Sequence, residues 1–179
     1  RKARYSLGAI LTVAVISVFG CSEEEQATVP KAPEGFETRT GAGVSFQWQV
    51  QDEHIEIILS AETEGWIAVG FNPETMMQGA NLIIGYVSEG EVKLRDDYGS
   101  WLTSHASDTS NNGSSDLTII DGEENEGKTR LRFRIPLKTE EDFEGDILLG
   151  QKNKVLLAYG AKDDFDSMHR NKTSIEVEF

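Results

Sequence analysis

The chain has 179 residues, with 31 Asp or Glu against 17 Lys or Arg; its formal charge of −14 disfavours nucleic acid, which is bound through surplus basic groups. A single cysteine excludes an internal disulfide, a Cys-based zinc or iron–sulfur site and a C-x-x-C-H motif for covalent haem attachment. His54, His105 and His169 are too scattered for local zinc spacing, and no G-x-S-x-G, Walker or dinucleotide-binding pattern occurs.

At the amino end, Arg1, Lys2 and Arg4 precede an apolar run from Leu7 to Phe19 that stops at Gly20-Cys21. The run is short for a bilayer span and reads as a signal peptide, with an uncleaved amino-terminal anchor or the leader of an ordinary secreted protein as the alternatives. Val18-Phe19-Gly20-Cys21 resembles the lipobox of a bacterial lipoprotein. The resemblance implies cleavage after residue 20, acylation of Cys21 and a tether to a membrane of the bacterial cell envelope, on the periplasmic side or at the cell surface. Residues 21–42 open with "CSEEEQATVPKAPEGF", rich in acids, Pro and small residues, and read as an acidic flexible tether. Residues 43–179 then form one domain, long enough to bury a core without staples.

Within that domain apolar residues alternate with polar ones. Phe46, Trp48 and Val50 share a face; so do Ile55, Ile57 and Leu59, then Leu131, Phe133 and Ile135, and finally Ile175, Val177 and Phe179. A period of two predicts strands with one wet side, as in antiparallel sheets. "GWIAVGF", "NLIIGYV" and "KVLLAYG" are apolar on both faces, which predicts central strands covered above and below. The stretch "SHASDTSNNGSSD" is made of turn-formers and predicts an exposed loop whose oxygens could hold calcium, although it lacks the spacing of a known calcium loop. The expected fold is all-β, an antiparallel immunoglobulin-like sandwich of nine or ten strands.

Two of the chain's three methionines, Met76 and Met77, lie in the turn between "GWIAVGF" and "NLIIGYV". Flexible thioethers there could plug the end of a core. His169 occupies a similar polar turn ahead of the last strand, where an imidazole could equally be a surface group. Together, a thioether and an imidazole on loops leading into strands are the pair a haem iron needs for two axial bonds.

The order of blocks makes the reading more specific. "GWIAVGF", the loop "NPETM", "MQGA" from Met77 to Ala80, "NLIIGYV", "EVKLRDDYG", "RFRIPL", "LLAYG" and a histidine before the final strand resemble the DOMON (dopamine β-monooxygenase N-terminal-like) family from about Val44 to Phe179. Asn81 stands where many members carry Asp, and "HRNKTS" lacks the glycine common after the histidine. The resemblance implies a cytochrome b type domain holding haem b non-covalently, with Met77 and His169 as iron ligands and Met76 as the neighbouring second choice. Trp66, Phe71 and Tyr159 are expected walls of the haem slot at one end of the sandwich, and Arg170 and Lys172 are candidates for its carboxylates.

The expected function is membrane-anchored electron transfer, without catalytic residues, to a redox partner protein with a basic face that the acidic surface would steer. Two other readings stand beside it: a haem-free module binding carbohydrate or another ligand, with Trp66 and Tyr86 as platform, and an accessory subunit of a larger redox enzyme.

Overall fold

The structure, a computed structural model, describes residues 32–139, 142 and 145–179. The signal peptide, Cys21 and the tether as far as residue 31 lie outside the described residues. Eleven strands follow in chain order: β1 Glu37–Gly41, β2 Val44–Gln51, β3 His54–Ala61, β4 Ile67–Phe71, β5 Asn81–Ser88, β6 Glu91–Trp101, β7 Ser104–Ser107, β8 Thr118–Asn125, β9 Lys128–Pro136, β10 Lys152–Tyr159 and β11 Asn171–Glu178. Three hairpins are closed by two-residue turns, Ala42-Gly43, Glu89-Gly90 and Glu126-Gly127, with positive φ at all six residues. Such turns have the twist that antiparallel strands require, and glycine meets the second left-handed position without strain.

The strands form two antiparallel sheets, ordered β1-β2-β3-β9-β8 and β11-β10-β4-β5-β6-β7. Between them lies the core, and the alternation read from the sequence decides its membership. Phe46 and Trp48 from β2, Ile55, Ile57 and Leu59 from β3, and Leu131, Phe133 and Ile135 from β9 meet Ile67, Val69 and Phe71 from β4. Phe46 stacks on Trp48 at 4.8 Å, and Phe179 sets its edge to Trp48 at 5.6 Å. Burying each such side chain is worth about 1.5–3 kcal/mol. The three strands apolar on both faces, β4, β5 and β10, take central places in the six-stranded sheet.

The strand count exceeds the nine or ten expected, and two segments explain the difference. Residues 37–41, within the stretch read as tether, pair with β2 from Glu37↔Trp48 to Gly41↔Val44. They form an edge strand whose side chains are mostly exposed, so the backbone ladder leaves no apolar alternation to read. The expected loop "SHASDTSNNGSSD" is in part β7, paired along β6, and then a short 3-10 turn over Asp108–Asn111. Among the described residues no three His, Cys, Asp or Glu side chains are grouped so that they could hold a metal ion.

Candidate functional site

A strand that places odd-numbered residues in the core turns even-numbered ones outward. On β4, Ile67, Val69 and Phe71 point between the sheets, leaving Ala68 and Gly70 on the outer face. The same parity puts Leu82 and Ile84 of β5, and Leu156 and Ala158 of β10, beside them. These six apolar residues floor a cleft of about 740 Å³ on the outside of the six-stranded sheet. The cleft therefore lies on a sheet face, not at one end of the sandwich as expected.

Two loops wall the cleft from opposite ends of β4. Residues 72–80, after β4, carry Met76 and Met77. This loop is pinned to β6: Met77 N–H donates to Leu102 O at 3.3 Å, Gly79 N–H to Gly99 O at 2.9 Å, and Gly99 N–H to Ala80 O at 2.9 Å. A Cβ at position 99 would fall 1.6 Å from the Met77 carbonyl oxygen, so only glycine lets the loop lie this close. Met77 is half-buried, and Met76, at φ 56°, is 49% exposed.

The other wall, residues 160–170, enters from the β10 side. Trp66 N–H donates to Lys162 O at 3.1 Å, Gly160 N–H to Trp66 O at 2.8 Å, and Arg170 N–H to Tyr159 O at 2.8 Å. The Trp66 indole N–H also donates to Ser167 Oγ at 3.0 Å. Asp164 Oδ1 accepts from the backbone N–H of Ser167 at 2.7 Å and of Asp166 at 3.1 Å, and the Ser167 bond is foremost in holding the Asp164 carboxyl below its ordinary pKa. The turn so built brings half-buried His169 to the cleft together with Met168.

Towards β7 the cleft is lined by Leu102, Thr103 and His105, and His105 bonds a charged pair on β6. Asp97, fully buried, accepts from Arg95 Nε at 2.6 Å and Arg95 Nη2 at 2.7 Å, and it also bonds His105 Nδ1. Burial alone would raise the Asp97 pKa; the hydrogen bonds from His105 and Arg95 outweigh it and hold the carboxylate below its usual range. Arg95 further stacks over Phe165 at 4.6 Å and reaches Asp166 at 3.8 Å, tying β6 to the His169 loop.

The cleft unites Met77, Met76, His169 and Trp66 as expected residues, and Lys172 lines it while Arg170 does not. Phe71 and Tyr159 require correction as walls. Phe71 is fully buried in the inter-sheet core, 6.3 Å from Phe46, and Tyr159 packs against that core from the same face of β10 as Leu157. Tyr86 pairs with Phe165 at 5.0 Å and does not line the cleft. The sequence reading missed His105, Met168 and the aliphatic floor. Strand parity held the signal for the floor, since five steps separate Trp66 from Phe71 and an odd step crosses the sheet.

All three methionines and two of the three histidines of the chain line this one cleft. Thioether sulfur and imidazole nitrogen over an aliphatic floor suit the iron and flat apolar ring of a haem. A second hollow of about 580 Å³ holds His54 among Asp52, Glu53 and Lys138, and lacks such a floor.

The chain is similar over 124 residues, at 28% identity, to MOXD1 homolog 2 of Drosophila melanogaster, which covers 65% of this chain and 15% of that protein. It is 29% identical over 140 residues to DBH-like monooxygenase protein 2 of Mus musculus, covering 76% of this chain and 22% of that protein. The chain thus spans less than a quarter of either relative. Its fold is similar to the cytochrome b domain of pyranose dehydrogenase from Coprinopsis cinerea, with TM-score 0.62, 12% identity, and coverage of 79% of this chain and 80% of that one. It is likewise similar to the cytochrome domain of Myriococcum thermophilum cellobiose dehydrogenase, with TM-score 0.60, 13% identity, and coverage of 75% and 74%. The family profile of the DOMON domain matches residues 41–160, two thirds of the sequence, and the chain belongs to that family.

Proposed function

We propose that this domain binds haem b non-covalently in the outer-face cleft and transfers single electrons, with Met77 and His169 as the axial ligands. The observation that carries the reading is that these two side chains, from loops at opposite ends of β4, line one cleft with an aliphatic floor. Bound there, haem supplies a one-electron couple, and a Met/His pair raises its potential while leaving no open iron position. The chain's own part is to bind and orient: the floor excludes water, Trp66 braces the loop of His169 through Ser167, and Lys154 and Lys172 are cations available to a porphyrin carboxylate. The two similar cytochrome domains support the reading through their shared fold. A carbohydrate platform of Trp66 and Tyr86 has less support, because Tyr86 is engaged with Phe165.

The domain has no catalytic role of its own in this proposal. Acylated Cys21 holds it to a membrane of the bacterial envelope, and its acidic surface meets a redox partner with a basic face. A stable association of the untethered domain with one larger redox enzyme would favour the accessory-subunit reading instead.

Titration of the purified protein with hemin tests the ligand pair. The expected ferric spectrum is six-coordinate and low-spin, with the charge-transfer band of a thioether–iron bond. His169→Ala should lose the low-spin state and Met77→Ala the thioether band. Spectra unchanged in both variants remove the assignment.

A further inference from the structure

The cleft holds a second imidazole that the Met77 and His169 assignment does not use. His105 is the second residue of β7, and its ring is 25% exposed. Its Nδ1 is engaged by Asp97, a carboxylate that is fully buried and fixed by two bonds from Arg95. A carboxylate can only accept, so Nδ1 carries the proton, and the nitrogen left with a lone pair is Nε2. A histidine whose remote nitrogen donates to a carboxylate is locked in tautomer and orientation, which is how metal-ligating histidines are commonly supported. His169 has no comparable hydrogen bond among those described.

The position of His105 in the fold matters equally. Met77 is tied through its N–H to Leu102, at the β6–β7 turn that leads directly into Ser104 and His105. Met77 and His105 thus approach the cleft from the end of β4 that carries Phe71, whereas His169 arrives from the end that carries Trp66. From this arrangement the geometry points to His105 as an alternative axial ligand on the side of Met77, giving the cleft a second ligand set, His105 with His169, beside Met77 with His169. The inference rests on the haem reading and extends it. The two sets differ in consequence: a thioether favours ferrous iron and a higher potential, and exchanging it for imidazole lowers the potential. The second set takes over where Met77 is lost as a ligand, as in Met77→Ala.

The test uses the full chain with hemin, in four forms: wild type, His105→Ala, Met77→Ala and the double variant Met77→Ala/His105→Ala. Wild type and His105→Ala should both show the thioether–iron band. Met77→Ala should lose that band and remain six-coordinate and low-spin, with the electron paramagnetic resonance signature of two imidazoles and a lowered midpoint potential. The double variant should become five-coordinate and high-spin. His105→Gln in the Met77→Ala background gives the same answer if the alanine disturbs Asp97, since the glutamine amide can still donate to that carboxylate; melting of each apo-protein checks the fold. A Met77→Ala protein that is already high-spin, or a double variant that stays low-spin, overturns the assignment of His105 and leaves the haem reading standing. Wild-type protein with no low-spin spectrum overturns the haem reading, and this one falls with it.

Discussion

On the outer face of the five-stranded sheet, Glu56 is almost fully buried beneath Arg132, which donates from Nε at 2.7 Å, and Arg134, which donates at 3.2 Å. On the outer face of the six-stranded sheet, the equivalent central positions are Ala68, Gly70, Leu82, Ile84, Leu156 and Ala158. The first face closes itself with its own side chains. The second is apolar and bordered by sulfur and imidazole, which is costly to leave against water and useful only if something apolar covers it. On the proposed reading the contrast separates residues that close the fold from residues that hold a ligand, although both lie on the outside of one sandwich.

The largest effect expected from breaking this contrast is on binding. Leu156→Glu places a carboxylate in the cleft floor and should lower haem affinity at least about 100-fold, roughly 3 kcal/mol, because an unpaired charge is expensive in an apolar site. Apo-protein stability should move by no more than about 1 kcal/mol, since Leu156 is only half-buried. The mirror experiment is Arg132→Met, which strips the bonds to Oε1 of buried Glu56. It should cost about 1–3 kcal/mol in urea unfolding and leave haem affinity unchanged. Equal effects of both variants on both measurements would dissolve the distinction between the faces.

A pair of adjacent residues sharpens the comparison. Asp96 faces Ile83 and the inside of the sandwich, whereas Asp97 faces Leu82 and the cleft side. Burial, and then the charges of Asp108 and Asp116, push the Asp96 pKa up from 3.8 to about 8, while Asp97 is lowered by His105 and Arg95 despite its burial. The folded state therefore holds a proton at Asp96 that the unfolded chain has released, so this carboxyl lowers stability progressively as pH rises from about 4 to about 8. Asp97 has the opposite sign: its contribution is present above its ordinary pKa and is lost as pH falls through the lower folded value. Asp96→Asn should raise the melting temperature at pH 8 and leave it little changed at pH 4, flattening the profile. A profile parallel to wild type would count against a protonated Asp96.

Alternation carried most of the fold into view. Phe46, Ile57, Leu131 and Val177 each stand in a period-two run, and each is in the core. β1 and β7 escaped because edge strands owe their pairing to backbone groups that leave no side-chain pattern. At the cleft, Met77 and His169 stand out in the sequence as rare side chains in polar turns, and both line it, as does Trp66. Phe71 and Tyr159 misled for the opposite reason: an aromatic in an apolar strand does not declare which face it takes until the register of its neighbours is known. His105 was hidden among Ser, Asn and Asp, and its partner Asp97 comes from a strand whose pairing the sequence does not print.

The finest test concerns Trp66, which belongs to both regions: its indole is buried at the start of β4 and lines the cleft. The indole fills the space beside Gly160, where a Cβ would lie 2.2 Å from Nε1, and its N–H donates to Ser167 Oγ two residues before His169. Trp66→Phe keeps an aromatic wall and removes that donor. The fold should lose about 0.5–1.5 kcal/mol, the net worth of one hydrogen bond. The loop should lose more than the fold, because Asp164, Arg95 and the ring of Tyr86 are then left to hold residues 164–167. Hydrogen exchange at Ser167 and Arg170 should quicken while the amides of β3 and β9 stay protected, and hemin should dissociate faster. Should Ser167→Ala leave both rates as in wild type, the brace is ornamental, and His169 is held by the backbone bonds from Trp66 and Tyr159 without it.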